Sequence, residues 1–208
     1  MTTTDNWGWK ARIGMFIVSS EPVPEAEWWA MMPSGVSVHV ARVTAPTPWA
    51  RWASNRETVE LEADVERGAK QFATMRLSAV VIAHSSSSIA GGQGWDDAVV
   101  KRLSEIVAPE TVVTTNGRDC QAALRALKVE RPFLVFPAWF ADPALPKGVA
   151  YYAETVFTLP GICVLTPAAN GGTSVHATSI RKAWHSSKTS SISIGRCARD
   201  ALRKPTES

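Results

Sequence analysis

Apolar residues in the first two thirds of the chain gather in short runs that are separated by polar segments. The runs cover residues 13–18, 36–43, 77–83, 111–115 and 133–137. Apolar runs of this length are typical of parallel strands that are buried on both faces. We therefore predict five strands, and we expect 13–18, 77–83, 111–115 and 133–137 to be parallel neighbours in one sheet.

Helix signals lie between the predicted strands. Pro24 favours a helix start, and Glu25 and Glu27 would stand in its first turn, near the positive end of the helix dipole. Apolar residues recur at helical spacing over residues 57–76. Further helices are predicted over residues 95–107 and 119–127. Alternating strands and helices predict an α/β fold with a doubly wound parallel sheet.

The pattern changes after Tyr152. Residues 155–208 contain 15 Ser and Thr among 54 positions and show neither a two-residue nor a 3.6-residue apolar period. We therefore predict an α/β lobe over residues 1–154 and an irregular basic tail over residues 155–208, so that a second lobe would be irregular or incomplete. Two explanations stay open, a disordered tail and a tail translated in a shifted reading frame. Sequencing the DNA around codons 154–157 distinguishes them, because an inserted or deleted base is expected only for the second.

Charge and cysteine content exclude several classes of protein. The net charge is +3, but residues 155–208 hold seven Lys and Arg against two acids, so that residues 1–154 sum to −2. A basic tail without aromatic residues interleaved on a regular element does not favour nucleic acid. Three cysteines at unrelated spacings predict neither a disulfide framework nor a metal site. Since no apolar run approaches the roughly 20 residues of a membrane span, and no signal-peptide pattern is present, we expect a cytoplasmic protein without membrane contact.

Polar residues that follow the predicted strands are the candidates for a binding site. They are Ser19, Ser20 and Glu21 after the first strand, His84, Ser85, Ser86 and Ser87 after the 77–83 strand, and Thr115 at the end of the 111–115 strand. Open α/β sheets bind ligands outside the carboxyl ends of their strands. We therefore expect Ser20, His84 and Thr115 at one edge of the sheet, where serine hydroxyl and backbone N–H groups are suited to holding a carboxylate.

His84 is the strongest candidate for chemistry, because a neutral imidazole can exchange protons near pH 7. The alternative is a histidine whose ring is satisfied by neighbouring hydroxyls. Glu21 and Glu25 also admit two interpretations, a general base with a structural carboxylate, or two capping acids. The tryptophan pairs Trp7/Trp9, Trp28/Trp29 and Trp49/Trp52 could line a site or a dimer interface. The sequence contains neither a Gly-x-Ser-x-Gly elbow nor a complete dinucleotide or phosphate-loop motif, and we expect no cofactor.

Taken together, these segments resemble the superfamily of aspartate/glutamate racemases, maleate cis-trans isomerases and arylmalonate decarboxylases. RIGMFIVSSEPVPEAE is similar to the isomerase opening, in which a strand runs into a Pro-Ser-Ser-Asn loop and a Glu-x-Glu pair. GVSVHVARV is similar to the second strand, AVVIAHSSSSIAGG to the loop that carries the first catalytic cysteine, and VVTTNGRDCQAALRALKVERPFLVFP to a later strand-helix-strand unit. The resemblance covers about residues 12–154 and implies the α/β fold of that superfamily.

The resemblance also implies proton transfer on a small acid that lies between two thiols, without a cofactor. This sequence differs at the positions concerned. His84 stands where the first cysteine would lie, and Glu21 and Ala138, the latter beside Trp139, stand where a loop asparagine and a later tyrosine would lie. The second cysteine would fall within the tail, where Cys163 and Cys197 have no matching context.

Three hypotheses for function follow. The first is an isomerase-like, racemase-like or decarboxylase-like enzyme that acts on a small dicarboxylate or a substituted malonate, with His84 as its acid/base. Its substrate-binding residues would be Ser19, Ser20, Glu21, Ser85, Ser86, Ser87, Thr115 and Trp139. The second is a catalytically inactive or truncated family member that binds a small carboxylate or nothing, and the third is a basic-tail binding module. A homo-oligomer is compatible with the first two hypotheses.

Overall fold

The computed structural model describes residues 5–137, 144–153, 162–167 and 173–178. In chain order the elements are β1 (Ala11–Val18), α1 (Val23–Met31), β2 (Val36–Val43), β3 (Ala50–Trp52), β4 (Val59–Leu61), α2 (Ala63–Ala73), β5 (Ala79–Ile82), α3 (Ser85–Gly91), α4 (Trp95–Ser104), β6 (Val112–Thr115), α5 (Asn116–Ala126), β7 (Leu134–Phe136), α6 (Ala144–Ala153), β8 (Ile162–Pro167) and β9 (Thr173–Thr178). Contacts divide the chain into two compact units, residues 1–120 and residues 121–208. The predicted boundary at residue 154 lies within the second unit.

The first unit is built on a four-stranded sheet in the order β2-β1-β5-β6, and all its strand pairs are parallel. Both faces of this sheet are apolar. Phe16, Val80 and Ile82 belong to a core cluster that includes residues of α2 and α4. Met15 and Val81 lie in a second cluster, against which Trp28 of α1 packs. The predicted α/β fold with a parallel sheet is therefore confirmed, and burial on both faces explains why its strands read as continuous apolar runs.

The predicted strand 133–137 does not join this sheet. Its structural counterpart β7 pairs in parallel with β8, and β8 pairs antiparallel with β9, so that a separate three-stranded sheet forms within the second unit. The prediction that 133–137 is a neighbour of 111–115 was wrong, because a short apolar run specifies burial but does not specify a partner strand. Moreover, β8 and β9 lie within the segment for which composition predicts an irregular tail.

The predicted helix over residues 57–76 begins later, at Ala63. The residues before it form β4, which pairs antiparallel with β3 and buries Val59. The predicted polar loop after β5 also differs from the structure, because Ser85–Gly91 forms the short helix α3. In both segments the composition was compatible with either of two local structures. Packing of the β3–β4 hairpin determined which structure forms.

Gly91 is required by the packing of α3 against α4. A Cβ atom at this position would lie 2.1 Å from Cγ of Trp95, whose side chain is fully buried. We expect Gly91→Ala to destabilise the protein by about 1 to 3 kcal/mol, since overpacking forces neighbouring groups to shift. Chemical denaturation measures the change, and Gln93→Ala, at an exposed position in the adjoining turn, should leave the free energy of unfolding within about 0.5 kcal/mol. An unchanged free energy of unfolding for Gly91→Ala would contradict this packing.

Candidate functional site

The carboxyl ends of the four parallel strands lie at one edge of the sheet. Phe16 is paired with Ile82, and Ile82 with Thr115, so that His84 follows β5 at the level where β1 runs into Ser19. The chain leaves β1 for β2 on one side and returns to β5 on the other. This reversal is the topological switch point at which open α/β sheets form a ligand crevice. Ser20, His84 and Thr115 therefore lie at the same edge, as the sequence predicts.

His84 is held by two neighbours at the start of α3. Its Nδ1 lies 2.8 Å from Oγ of Ser87, and its ring stacks on Trp49 with centroids 4.1 Å apart and planes 19° apart. The backbone N–H of Trp49 donates to the same Ser87 Oγ over 3.0 Å. Both partners are buried, Ser87 fully and Trp49 to 99%. The imidazole thus has a fixed plane and one committed ring nitrogen.

The β3–β4 hairpin brings Trp49 to His84. Trp52 donates from Nε1 to the carbonyl oxygen of Gly91 over 2.9 Å, and Trp95 donates from Nε1 to the carbonyl oxygen of Ala50 over 2.8 Å. These two indole hydrogen bonds fasten the hairpin to α3 and α4. Trp49, which immediately precedes β3, is therefore anchored beside the end of β5.

Burial controls the charge of His84. Desolvation lowers the pKa of His84 from 6.5 to about 4, because a partly buried imidazolium loses hydration that the neutral ring does not need. The ring is consequently neutral near pH 7. A neutral imidazole can act as a hydrogen-bond donor at one nitrogen and an acceptor at the other.

A buried carboxylate lies next to this pair. Oδ1 of Asp96 accepts hydrogen bonds from Ser88 Oγ over 2.7 Å and from Thr115 Oγ1 over 2.6 Å. Thr115 Oγ1 in turn accepts from the backbone N–H of Arg118 over 3.3 Å. All three side chains of the Ser88–Asp96–Thr115 network are buried. The network links α3, α4 and β6, and it holds the helix that positions His84.

The loop after β1 is held by a cation that the sequence analysis did not single out. Arg42, near the end of β2, donates from one guanidinium nitrogen to the carbonyl oxygens of Ser19, at 3.0 Å, and Glu21, at 3.4 Å, and forms an ion pair with Glu25. Ser20 and Glu21 are exposed and Ser19 is half-buried. Glu25 is therefore bound to Arg42, and the loop presents its hydroxyl and carboxylate groups at the surface.

The predicted serines of α3 differ in accessibility. Ser85 is exposed and Ser86 half-buried, whereas Ser87 is fully buried and bonded to His84. Thr115 is likewise buried and bonded to Asp96. In the structure as it stands, Ser87 and Thr115 support their neighbours, and only Ser85 and Ser86 of this group reach the surface.

Two residues that shape the site had weaker signals in the sequence. Asp96 stands on the buried stripe of α4, three and seven residues before Val99 and Leu103, and an acid on an apolar stripe indicates a buried polar partner. Arg42 shares a strand face with Val38 and Val40, which is an unusual place for a charge. The predicted residue Trp139 lies outside the described residues.

Within the described part of the chain, no group of three or more His, Cys, Asp and Glu side chains is placed to hold a metal ion. No helix in the same part of the chain is long and apolar enough to cross a membrane.

The fold matches solved structures although the sequence matches no family model and no curated protein. Maleate isomerase from Pseudomonas putida is 17% identical to this chain, with a TM-score of 0.57. The match covers 74% of this chain and 63% of the isomerase chain. A cysteine-to-serine mutant of Nocardia farcinica maleate cis-trans isomerase is 19% identical to this chain, with a TM-score of 0.57. That structure has a covalently bound succinylcysteine intermediate, and the match covers 74% of this chain and 63% of that one. Unliganded arylmalonate decarboxylase is 20% identical with a TM-score of 0.54, with 74% of this chain and 62% of that one covered.

This chain spans about 63% of the length of the maleate isomerases that it matches. The resemblance found in the sequence and the similarity found in three dimensions agree, since these solved structures belong to two of the three kinds of protein that the resemblance names. The chain therefore has the α/β fold of maleate isomerases and arylmalonate decarboxylases.

Proposed function

We propose that this chain is a member of the aspartate/glutamate racemase-like superfamily that acts on a small dicarboxylate or a substituted malonate by cofactor-independent proton transfer or isomerisation, with His84 at the centre of the chemistry. The substrate class is that of the structural neighbours, whose names specify maleate and arylmalonate. The reaction would be a racemisation or a decarboxylation, each of which places a proton on the carbon beside a carboxylate, or an isomerisation.

The observation that carries the proposal is the setting of His84. A partly buried imidazole, stacked on Trp49 and bonded to Ser87, stands at the switch point of the sheet. A group held in one orientation in a partly desolvated position is suited to proton transfer, because little reorganisation is needed during the reaction. The sequence places this histidine where the resemblance puts a catalytic thiol.

The two loops at the switch point supply the groups that would hold the substrate. Ser20 after β1, and Ser85 and Ser86 at the start of α3, offer hydroxyl and backbone N–H groups at or near the surface. Ser19 offers its hydroxyl group, since its backbone N–H donates to the carbonyl oxygen of Val43. Such groups stabilise a carboxylate through charge-assisted hydrogen bonds. Ser87 and Thr115 would act indirectly, by holding His84 and Asp96 in place through the hydrogen bonds of their hydroxyl groups.

The proposal predicts both binding and exchange. At a concentration of 100 times its dissociation constant, maleate or phenylmalonate should raise the free energy of unfolding by about 2.7 kcal/mol. In deuterium oxide, NMR should show deuterium entering a substrate that carries a proton beside its carboxylate. His84→Asn is the variant of choice, since its amide oxygen lies near the position of Nδ1 and preserves an acceptor for Ser87. We expect His84→Asn to retain stabilisation by the ligand and to lose exchange by at least about 100-fold.

His39 provides the matched control. It is half-buried on β2, and its Nε2 lies 2.9 Å from Ser37 Oγ, so that it forms a second histidine–serine pair away from the carboxyl edge. His39→Asn should leave exchange within about twofold. If the parent protein shows neither exchange nor stabilisation across a panel of small dicarboxylates, the enzymatic proposal fails.

Stabilisation without exchange would support the second candidate function, a binding protein for small carboxylates. One observation favours keeping this candidate. The serine loops and Arg42 form a polar rim that does not depend on the two thiols of the resemblance. In that case His84→Asn should change the affinity for maleate and no catalytic rate.

A further inference from the structure

We propose that Ser87 and Trp49 are positioning residues that hold His84 as the neutral tautomer with its proton on Nε2, so that His84 meets a carboxylate ligand as a hydrogen-bond donor. This inference rests on the proposed function for the identity of the ligand. It deepens that function, because it assigns to His84 the stabilisation of the negative charge that develops on a carboxylate oxygen, through a hydrogen bond from Nε2.

Counting protons at Ser87 leads to the tautomer. A serine hydroxyl has one proton to donate and two lone pairs to accept with. One lone pair of Ser87 Oγ accepts the backbone N–H of Trp49, which can only donate. The side chain of Ser87 is fully buried, so water does not reach its hydroxyl proton. Within the described part of the chain, the remaining partner of Ser87 Oγ is Nδ1 of His84, at 2.8 Å.

Only one assignment satisfies all three groups. If Ser87 donates to Nδ1, then Nδ1 accepts, Trp49 N–H has its acceptor, and the proton of the neutral imidazole lies on Nε2. If instead Nδ1 carried the proton, Ser87 Oγ would receive two donors and its own buried proton would have no partner. A buried donor without an acceptor costs about 1 to 3 kcal/mol, which disfavours both the other neutral tautomer and the imidazolium.

Stacking on Trp49 fixes the orientation of the His84 ring. With planes 19° apart and centroids 4.1 Å apart, the indole restricts rotation of the imidazole about its side-chain bonds. Trp49 therefore acts on His84 twice, through its ring and through its backbone N–H. Because the N–H belongs to the backbone, a change of the Trp49 side chain removes the stack and leaves the hydrogen bond to Ser87.

A neutral N–H donor suits chemistry on a carboxylate. Removal of a proton beside a carboxylate, or loss of carbon dioxide from a malonate, moves negative charge onto carboxylate oxygens, and a fixed donor stabilises that charge. Triosephosphate isomerase is the known case in which a neutral histidine polarises an oxygen in this way. His84 would serve the developing oxyanion, and the removal of a proton would fall to another group.

Heteronuclear NMR of nitrogen-labelled protein tests the tautomer directly in the ligand-free chain of 208 residues. The nitrogen shifts of His84, assigned by their absence in His84→Asn, should show an unprotonated Nδ1 and a protonated Nε2 at pH 7. Ser87→Ala should convert this pattern to a mixture of tautomers, whereas Ser87→Thr, which keeps a hydroxyl, should restore it. A protonated Nδ1 in the parent protein, or an unchanged pattern in Ser87→Ala, would overturn the inference.

Ligand experiments test the role of the tautomer. On addition of maleate, the NMR resonance of the Nε2 proton of His84 should change its chemical shift. Ser87→Ala should lower the turnover number for deuterium exchange into phenylmalonate by about tenfold or more, and KM should stay within about twofold. Trp49→Phe, which keeps a ring, should lose less than Trp49→Leu. Ser37→Ala is the control, since it removes the partner of His39 and should move neither readout. A Ser87→Ala turnover number equal to that of the parent overturns the positioning role.

The two proposals fail in different ways. If no dicarboxylate binds, the proposed function is wrong, while the shifts of the free protein still decide the tautomer. If phenylmalonate binds and exchanges its proton while Nδ1 of His84 carries the imidazole proton, the proposed function survives and the inference is wrong.

Discussion

The free energy of unfolding should fall by about 1 to 3 kcal/mol more in the parent protein than in His84→Asn between pH 7 and pH 4. The folded state lowers the pKa of His84 from 6.5 to about 4 through burial, so that the unfolded chain binds more protons in this interval. The stabilisation is complete above pH 6.5 and is lost as the pH falls toward 4. Partial exposure of the ring to water reduces the effect below the value of a fully buried group.

Urea denaturation at several pH values, followed by circular dichroism, measures this difference. Burial and the neighbouring Arg12 also lower the pKa of His39, but that contribution is common to both proteins and cancels in the comparison. The acidic groups cancel for the same reason. Equal pH dependence in the parent and in His84→Asn would show that the imidazole is not desolvated in the folded state.

The second large effect is expected at Asp96. Asp96→Ala removes the acceptor of two buried hydroxyls, those of Ser88 and Thr115. A buried hydroxyl without a partner costs about 1 to 3 kcal/mol, so we expect a loss of about 2 to 4 kcal/mol in the free energy of unfolding. Asp96→Asn keeps an acceptor oxygen and should lose less than half as much.

Asp97 is the adjoining control. Its carboxylate is 80% exposed and pairs with Arg118 over 3.4 Å, so Asp97→Ala should change stability by less than about 0.5 kcal/mol. Because the Ser88–Asp96–Thr115 network holds α3, which positions His84, Asp96→Ala should also lower the rate of deuterium exchange into the substrate. Similar stabilities for Asp96→Ala and Asp97→Ala would mean that the buried network contributes little.

The sequence determined the class of the fold and the position of its candidate site. Buried parallel strands must be apolar on both faces, so β1, β5 and β6 were visible as runs, and the residue after such a strand must lie at the carboxyl edge. His84 was located by this argument alone. The alternative interpretation, a ring satisfied by a neighbouring hydroxyl, describes a true contact as well, since Ser87 is that neighbour.

Tertiary structure decided what sequence patterns leave open. The run 133–137 predicted a strand, but only packing determined that β7 pairs with β8 in another sheet. The helix expected over residues 57–76 begins only at Ala63. Residues 59–61 form β4 instead, because pairing with β3 outweighed the helical spacing of the apolar residues. Contacts between residues distant in sequence, such as Trp49 with His84 and Asp96 with Thr115, have no signature in local spacing. They set the charge and orientation of His84, since desolvation and hydrogen bonding depend on which surfaces the folded chain brings together.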